Sequence, residues 1–365
     1  MKIRATLAVS AAAFGLVLSG CSSGDSGGDA AASPSAAASA GKIGVILPDS
    51  ASSARWETAD RKYLEEAFTA AGVEFDIQNA QGDKAKFQTI ADQMLNAGAN
   101  VLMIVNLDSD TGAAVIKKAN AQGVKVIDYD RLTLNGNASY YVSFDNVAVG
   151  TKIGEGLVKC MQDNGDSSGP VALLNGSPTD NNATLFKQGY EAAITGAGYE
   201  IAADQAVPEW DNTKAGTIFE QMYTKANGDF IGVAAANDGL GGAAIAVLDR
   251  NGEAGKIPVT GQDATDEGLQ RVLLGTQCMT VYKAVKKEAD AAAQLAIALS
   301  KGETPTVDQT TTDPESGAEI PSVLLEPVSI FKENVKEVVD DGFTTAANLC
   351  TTDKLKQACA EAGIE

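Results

Sequence analysis

The sequence predicts an α/β protein built as two doubly wound, parallel-sheet lobes. Short, almost continuously apolar runs alternate with longer stretches of helical period, as in a parallel sheet covered on both faces. The alternation runs through two similar series in one chain. Glycine closes the helical stretches of the first series, where a left-handed C-terminal residue is favoured. The 44% apolar content and 37 glycines suit such a fold, and 365 residues hold about two domains.

In the first series, strands are predicted over 43–47, 73–77, 101–105 and 124–129. Helices are predicted over 55–71, 84–97 and 111–122, ending near Gly72, Gly98 and Gly123. The second series has strands at 171–174, 201–207, 230–235 and 258–261, with helices at 148–161, 183–197, 214–226 and 240–251. The join falls near 143–147. A strand at 280–282 and an Ala-rich helix over 284–300 follow. The polar stretch 301–319 reads as a surface loop. A last strand over 323–330 and a short helix near 333–341 close the fold.

The N-terminus carries an address. Lys2 and Arg4 precede an apolar core over 5–17, and Leu18-Ser19-Gly20-Cys21 follows. This is the layout of a signal peptide, too short to span a bilayer comfortably. Its end looks like the bacterial lipoprotein box. Residues 1–20 are therefore expected to be a lipoprotein signal peptide, with Cys21 lipidated. Residues 21–41, mostly Ser, Gly, Ala and Asp, are expected to be a flexible tether. The expected location is outside the cytoplasm, lipid-anchored to the outer face of the cell membrane.

Charge and composition exclude whole classes. The chain has 28 basic and 48 acidic residues, a net charge of −20, so nucleic acid is not an expected partner. It has no histidine, which removes Ser-His-Asp and Cys-His catalysis and most zinc sites. No cofactor or metal is expected. Of five cysteines, four remain after Cys21. Cys350 and Cys359 are expected to bridge locally, as export permits. Cys160 and Cys278 either pair or sit as small buried hydrophobes.

Ligands of open α/β sheets bind beyond the carboxyl ends of the strands. Polar residues recur there in both series: Asp49, Arg55, Asp130, Arg131, Asp145 and Asn146 in the first. The second series adds Asn182, Asn237, Asp238, Gln262, Asp263 and Lys283. The chain's two tryptophans, Trp56 and Trp210, fall among them. Each sugar hydroxyl both donates and accepts, so carboxylates, amides and cations can bracket it. An indole face covers the C–H face of a pyranose. Any single Asp or Asn at such a point can instead cap the next helix; recurrence across both series favours a polyhydroxylated ligand. The run from Gly239 to Ala244 matches G-x-G-x-x-A after a strand. Asp238 beside it would repel a pyrophosphate, and close helix–sheet packing is the preferred role.

Together these residues resemble a family. Asp130-Arg131, Ser143-Phe144-Asp145-Asn146, the run from Gly176 to Asn182, Gly261-Gln262-Asp263-Ala264 and Thr280-Val281-Tyr282-Lys283 look like the xylose-binding proteins of ABC importers. Ser52-Ser53-Ala54-Arg55-Trp56 looks more like the related multiple-sugar-binding proteins. The resemblance covers about 42–343. It implies a periplasmic binding protein type I fold: two lobes, a three-strand hinge and one sugar closed between them. The lobes would comprise 42–144 plus 280–305 and 145–279 plus 320–365.

On that pattern Arg55, Asp130, Arg131, Asn146, Asn182, Asp238 and Lys283 would hydrogen-bond the sugar, with Trp56 and Trp210 walling the ring. Asp49, Asp145, Asn237, Gln262 and Asp263 would bind or support. The implied role is that of a monomeric, non-enzymatic lipoprotein that delivers a monosaccharide, foremost D-xylose, to an ABC permease. The alternatives are a sugar sensor signalling to a membrane receptor and a glycosidase using paired carboxylates.

Overall fold

The computed structural model describes residues 41–365. The expected signal peptide, Cys21 and all but the last residue of the tether lie outside the described residues.

The first lobe is one seven-stranded sheet. Its strands are β1 (Lys42–Leu47), β2 (Phe75–Asn79), β3 (Ala99–Ile104), β4 (Lys125–Tyr129) and β5 (Tyr140–Phe144). The second lobe takes β6 (Pro170–Asn175), β7 (Glu200–Ala206), β8 (Gly232–Ala235), β9 (Thr260–Gln262) and β10 (Met279–Tyr282). Three more strands end the series: β11 (Gln309–Thr312), β12 (Glu319–Leu325) and β13 (Val328–Ile330). The first sheet has the order β11-β12-β5-β4-β3-β1-β2. It is parallel except for β11, which runs antiparallel to β12 at the edge. The second lobe holds β7-β6-β8 and β9-β10-β13, linked by one parallel bridge between Val233 and Val259.

The period of two sends alternate strand residues to opposite faces. Ile43, Val45 and Leu47 pack with Leu64, Phe68 and Ala289 on one side, whereas Ile46 packs with Phe87, Ile90 and Val115 on the other. Helices cover both faces, and so these strands are almost wholly apolar.

Three crossings join the lobes: after β5 at Asp145, after β10 at Lys283 and Ala284, and between β12 and β13 at Glu326 and Pro327. Pairing corrects the expected lobe boundaries at two strands. β10 pairs with β9 and β13 in the second lobe, although residues 280–305 were assigned to the first. β12 pairs with β5 in the first lobe, although 320–365 were assigned to the second. The apolar run 323–330 is two strands, one in each sheet. Pro327 has no N–H to continue a ladder, so the chain changes sheets there. The polar stretch 301–319 is also not all loop: its Thr-rich part forms β11, a polar edge strand of the kind that discourages pairing with another chain.

Both disulfides lie in the second lobe. Cys160 bonds Cys278 with Cα atoms 6.5 Å apart, and Cys350 bonds Cys359 with Cα atoms 6.1 Å apart. No helix among the described residues is long and apolar enough to cross a membrane.

Candidate functional site

A cavity lies between the lobes where the carboxyl ends of both sets of strands meet. The first lobe contributes Ser52, Ser53, Arg55, Trp56, Asp130 and Arg131 to its wall. The second contributes Asp180, Asn182, Phe186, Trp210, Asn237, Gln262 and Asp263, and Lys283 enters from a crossing. The space left free between these side chains is about 30 Å³.

Arg55 stands at the start of a π-type turn, Trp56–Asp60, that leads into the helix Arg61–Ala71. One such turn separates Arg55 from Asp60 and sets them on the same face. The guanidinium grips Asp60 through Nε (2.9 Å) and Nη2 (2.8 Å). It also donates to Glu288 Oε2 (2.6 Å) and Asp130 Oδ2 (3.0 Å). Of five N–H groups one remains for a ligand. Burial works against the charge on Arg55, but Asp60, Glu288 and Asp130 outweigh it and raise its pKa. Burial pushes the Glu288 carboxyl well above its ordinary value, and Asp130 and Asp60 add to the push. The hydroxyl of Tyr129 donates to Asp60 (2.6 Å) and completes the network.

Asp130 is held in the left-handed region at φ 64°, a strained backbone for a non-glycine residue. Its N–H bonds Val142 O (2.8 Å), and its own carbonyl accepts from Ser143 Oγ (2.7 Å) and Asn182 Nδ2 (2.9 Å). These bonds pay for the strain and turn the carboxylate into the cleft. Burial alone would raise its pKa; Lys283, Arg55 and Arg131 overcome that and hold it below the ordinary carboxylate range.

The second wall is built from helix caps. Asp180 caps the helix Asn181–Gly196 through the N–H of Asn182 (2.9 Å). Its other oxygen accepts Trp210 Nε1 (3.1 Å) and pairs with Arg131 Nε across the cleft (3.0 Å). The Trp210 ring lies against Gly176, where a Cβ would overlap it. Asn237 caps the helix Asp238–Arg250 and also reaches Ser52 O in the other lobe (3.4 Å). Trp56 donates to Ser52 Oγ (3.2 Å), with the Arg55 guanidinium 4.5 Å from its ring centre. Both indole N–H groups are thus bonded to protein.

Not every expected residue lines this cavity. Asp238 is wholly buried behind it, accepting from Gln277 Nε2 (2.7 Å) and Thr265 N (2.9 Å). Its carboxylate is wedged between Gly261 and Gly268, and burial pushes its pKa up to about 6. Asn146 reaches the wall only through Asn182 Oδ1 (3.0 Å). Asp145 caps the helix Asn146–Asp163, and Asp49 ties its own loop through Ala51 N and Ser52 N. In the G-x-G-x-x-A run, Gly239, Gly241 and Gly242 face Asn212, Thr260 and Arg271 closely, as packing glycines do.

Sequence reasoning passed over Phe186, Asp60 and Glu288 as site residues. For Glu288 a signal existed: it shares a helical stripe with Val285, Ala289 and Ala292, a buried face on which a carboxylate needs a partner.

Three polar atoms on the wall, Ser53 Oγ, Gln262 Oε1 and Asp263 Oδ1, are buried with no hydrogen-bond partner among the described residues. Lys283 Nζ is 3.2 Å from Asp263 Oδ1, an ion pair without hydrogen-bond geometry. Buried polar groups are rarely left so. The wall therefore offers unused acceptors and a hydroxyl, while its charges are already opposed by one another. This arrangement suits a neutral ligand rich in hydroxyls. Among the described residues no group of acidic, His or Cys side chains could hold a metal ion.

Comparison with known proteins places the chain in a family. A periplasmic binding protein domain model matches residues 43–304. The chain is 33% identical over 313 residues to the D-xylose-binding periplasmic protein of Escherichia coli, covering 84% of this chain and 92% of that one. It is 32% identical over 330 residues to the multiple sugar-binding periplasmic receptor ChvE of Rhizobium radiobacter, covering 85% and 92%. Among solved structures, an ABC transporter solute binding protein from Clostridium phytofermentans with bound β-D-glucose superposes with a TM-score of 0.76 at 27% identity. That match covers 84% of this chain and 99% of the other. The chain belongs to the periplasmic binding protein family and has its type I fold.

Proposed function

We propose that this chain is the extracytoplasmic solute-binding lipoprotein of an ABC sugar importer, taking a monosaccharide into the interlobe cavity and delivering it to a permease. The observation that carries the reading is the wall itself: unused polar atoms at Ser53, Gln262 and Asp263 beside two indoles and Phe186, with every lining carboxylate facing a cation or amide. Arg55, Asp130, Arg131, Asn182, Asn237, Gln262, Asp263 and Lys283 bracket the hydroxyls. Trp56, Phe186 and Trp210 wall the ring. Asp130, Asp180 and Asp263 each face an arginine or lysine, which supports binding rather than glycoside cleavage.

D-Xylose is the foremost ligand on the likeness to D-xylose-binding proteins. D-Glucose is the second, on the glucose-bound structures at 27% identity. The sugar enters when the lobes part and favours the closed arrangement, shifting the population by its difference in affinity. Calorimetry with D-xylose, D-glucose, D-ribose, D-galactose and myo-inositol tests this. Saturable binding of an aldose is expected, and silence across the panel would overturn the reading. Lipidation at Cys21 holds the protein beside its permease. Cys21→Ala is expected to release it from the membrane fraction; unchanged fractionation refutes the anchor.

A further inference from the structure

We propose that the ligand of this cleft extends beyond one ring: a second sugar, glycosidically linked to the first, is accepted in the chamber next to the cavity. The inference rests on the sugar-binding reading above. A second space of about 790 Å³ adjoins the inner cavity and, like it, is walled by both lobes. Arg131, Asp180 and Trp210 line both spaces. Asp180 Oδ2 ties the three together, pairing with Arg131 Nε at 3.0 Å and accepting Trp210 Nε1 at 3.1 Å. Arg131 and Asp180 form the partition, and a glycosidic linkage passes between the two spaces only when their ion pair parts by a change of rotamer.

The chamber is not a sign of parted lobes. Asn182 already bonds Asp130 across the cleft at 2.9 Å, and Asn237 reaches Ser52. The space is what remains once the lobes have met. Its chemistry fits a neutral glycoside. Lys84 is paired with Asp108 (2.8 Å) and Lys214 with Glu209, so the cations at its rim are already opposed. Leu107 and Trp210 offer apolar surface to a ring face, while Gln81 and Thr179 offer hydrogen bonds to hydroxyls. The turn that bears the partition is also unusual: Glu209 and Trp210 are consecutive non-glycine residues at φ 61° and 56°. Such strain persists where the surrounding structure dictates the position of a side chain.

Calorimetry on the full chain with D-xylose, D-glucose, xylobiose and cellobiose tests the proposal. One disaccharide is expected to bind within about tenfold of its own monosaccharide. Leu107→Trp and, separately, Thr179→Trp fill the chamber from opposite walls. Each is expected to weaken that disaccharide about tenfold or more while changing the monosaccharide by less than about twofold. Monosaccharides that bind while neither disaccharide does overturn the inference and leave the sugar reading standing. So does a folded variant that weakens both kinds of ligand equally. Silence toward all four sugars overturns both.

Discussion

The two lobes meet the same cavity with different engineering. The first has no cysteine between 42 and 144 and sets its wall with buried charge: Arg55 among Asp60, Asp130 and Glu288. The second holds both disulfides and sets its wall with helix caps, Asp180 and Asn237, and with Trp210. Ion networks fix direction but leave uncompensated charge if one member is lost. Covalent bridges and caps fix shape and tolerate loss of a single polar contact. The first lobe is therefore the side on which binding and stability are hardest to separate.

The largest expected effect tests the covalent half. Cys160 and Cys278 are 118 residues apart, and the loop they close is worth roughly 4–5 kcal/mol on the chain-entropy model. Replacing both by Ala should lower the denaturation midpoint accordingly; a midpoint equal to wild type would remove the contrast between the lobes. Next comes Arg55→Ala, which leaves the buried Asp60, Asp130 and Glu288 without their shared guanidinium and should cost about 3–5 kcal/mol of stability. Sugar binding should vanish with it. Normal melting in that variant would show that the ion network is not structural.

Two finer tests compare buried carboxylates. Asp130 and Asp238 both follow strands and both are buried, yet cations hold one pKa low and burial lifts the other to about 6. Because the folded pKa of Asp238 exceeds the unfolded one, its contribution to stability is largest below about pH 4 and declines as pH rises to about 6. The decline is roughly 3 kcal/mol at most. Asp238→Asn should flatten that part of the stability–pH profile while leaving sugar affinity within about threefold. Affinity lost in step with neither melting nor pH would return Asp238 to the ligand. The smallest change is expected of Glu288→Gln. Burial pushes its carboxyl well up, and the amide oxygen of Gln can still accept from Arg55 Nη2, so affinity should hold within about twofold by calorimetry. A large loss would mean that Glu288 acts as an anion.

The fold was legible because alternation between apolar runs and helical stretches is a local property. The site was legible in part, because strand ends face the cleft in any such sheet. Local pattern could not separate Asn237, which lines the cavity, from Asp238, which does not; they are neighbours in one strand-to-helix turn. Nor could it show that Asp60 and Glu288, inside helices, converge on Arg55 from 5 and 233 residues away. The apolar run 323–330 looked like one strand because hydrophobicity does not say which sheet a strand joins.

What the sequence determined by itself is the set of elements and the residue types at their ends, since periodicity and capping depend on neighbours a few positions away. Which carboxylate meets a cation, which strand crosses between lobes and which polar atoms stay free for a ligand were decided only in three dimensions. Those outcomes depend on burial and on distances between residues far apart in the chain. Burial also sets the charge of each buried acid, and so the same Asp can be a cleft-facing anion at 130 and a packed structural group at 238.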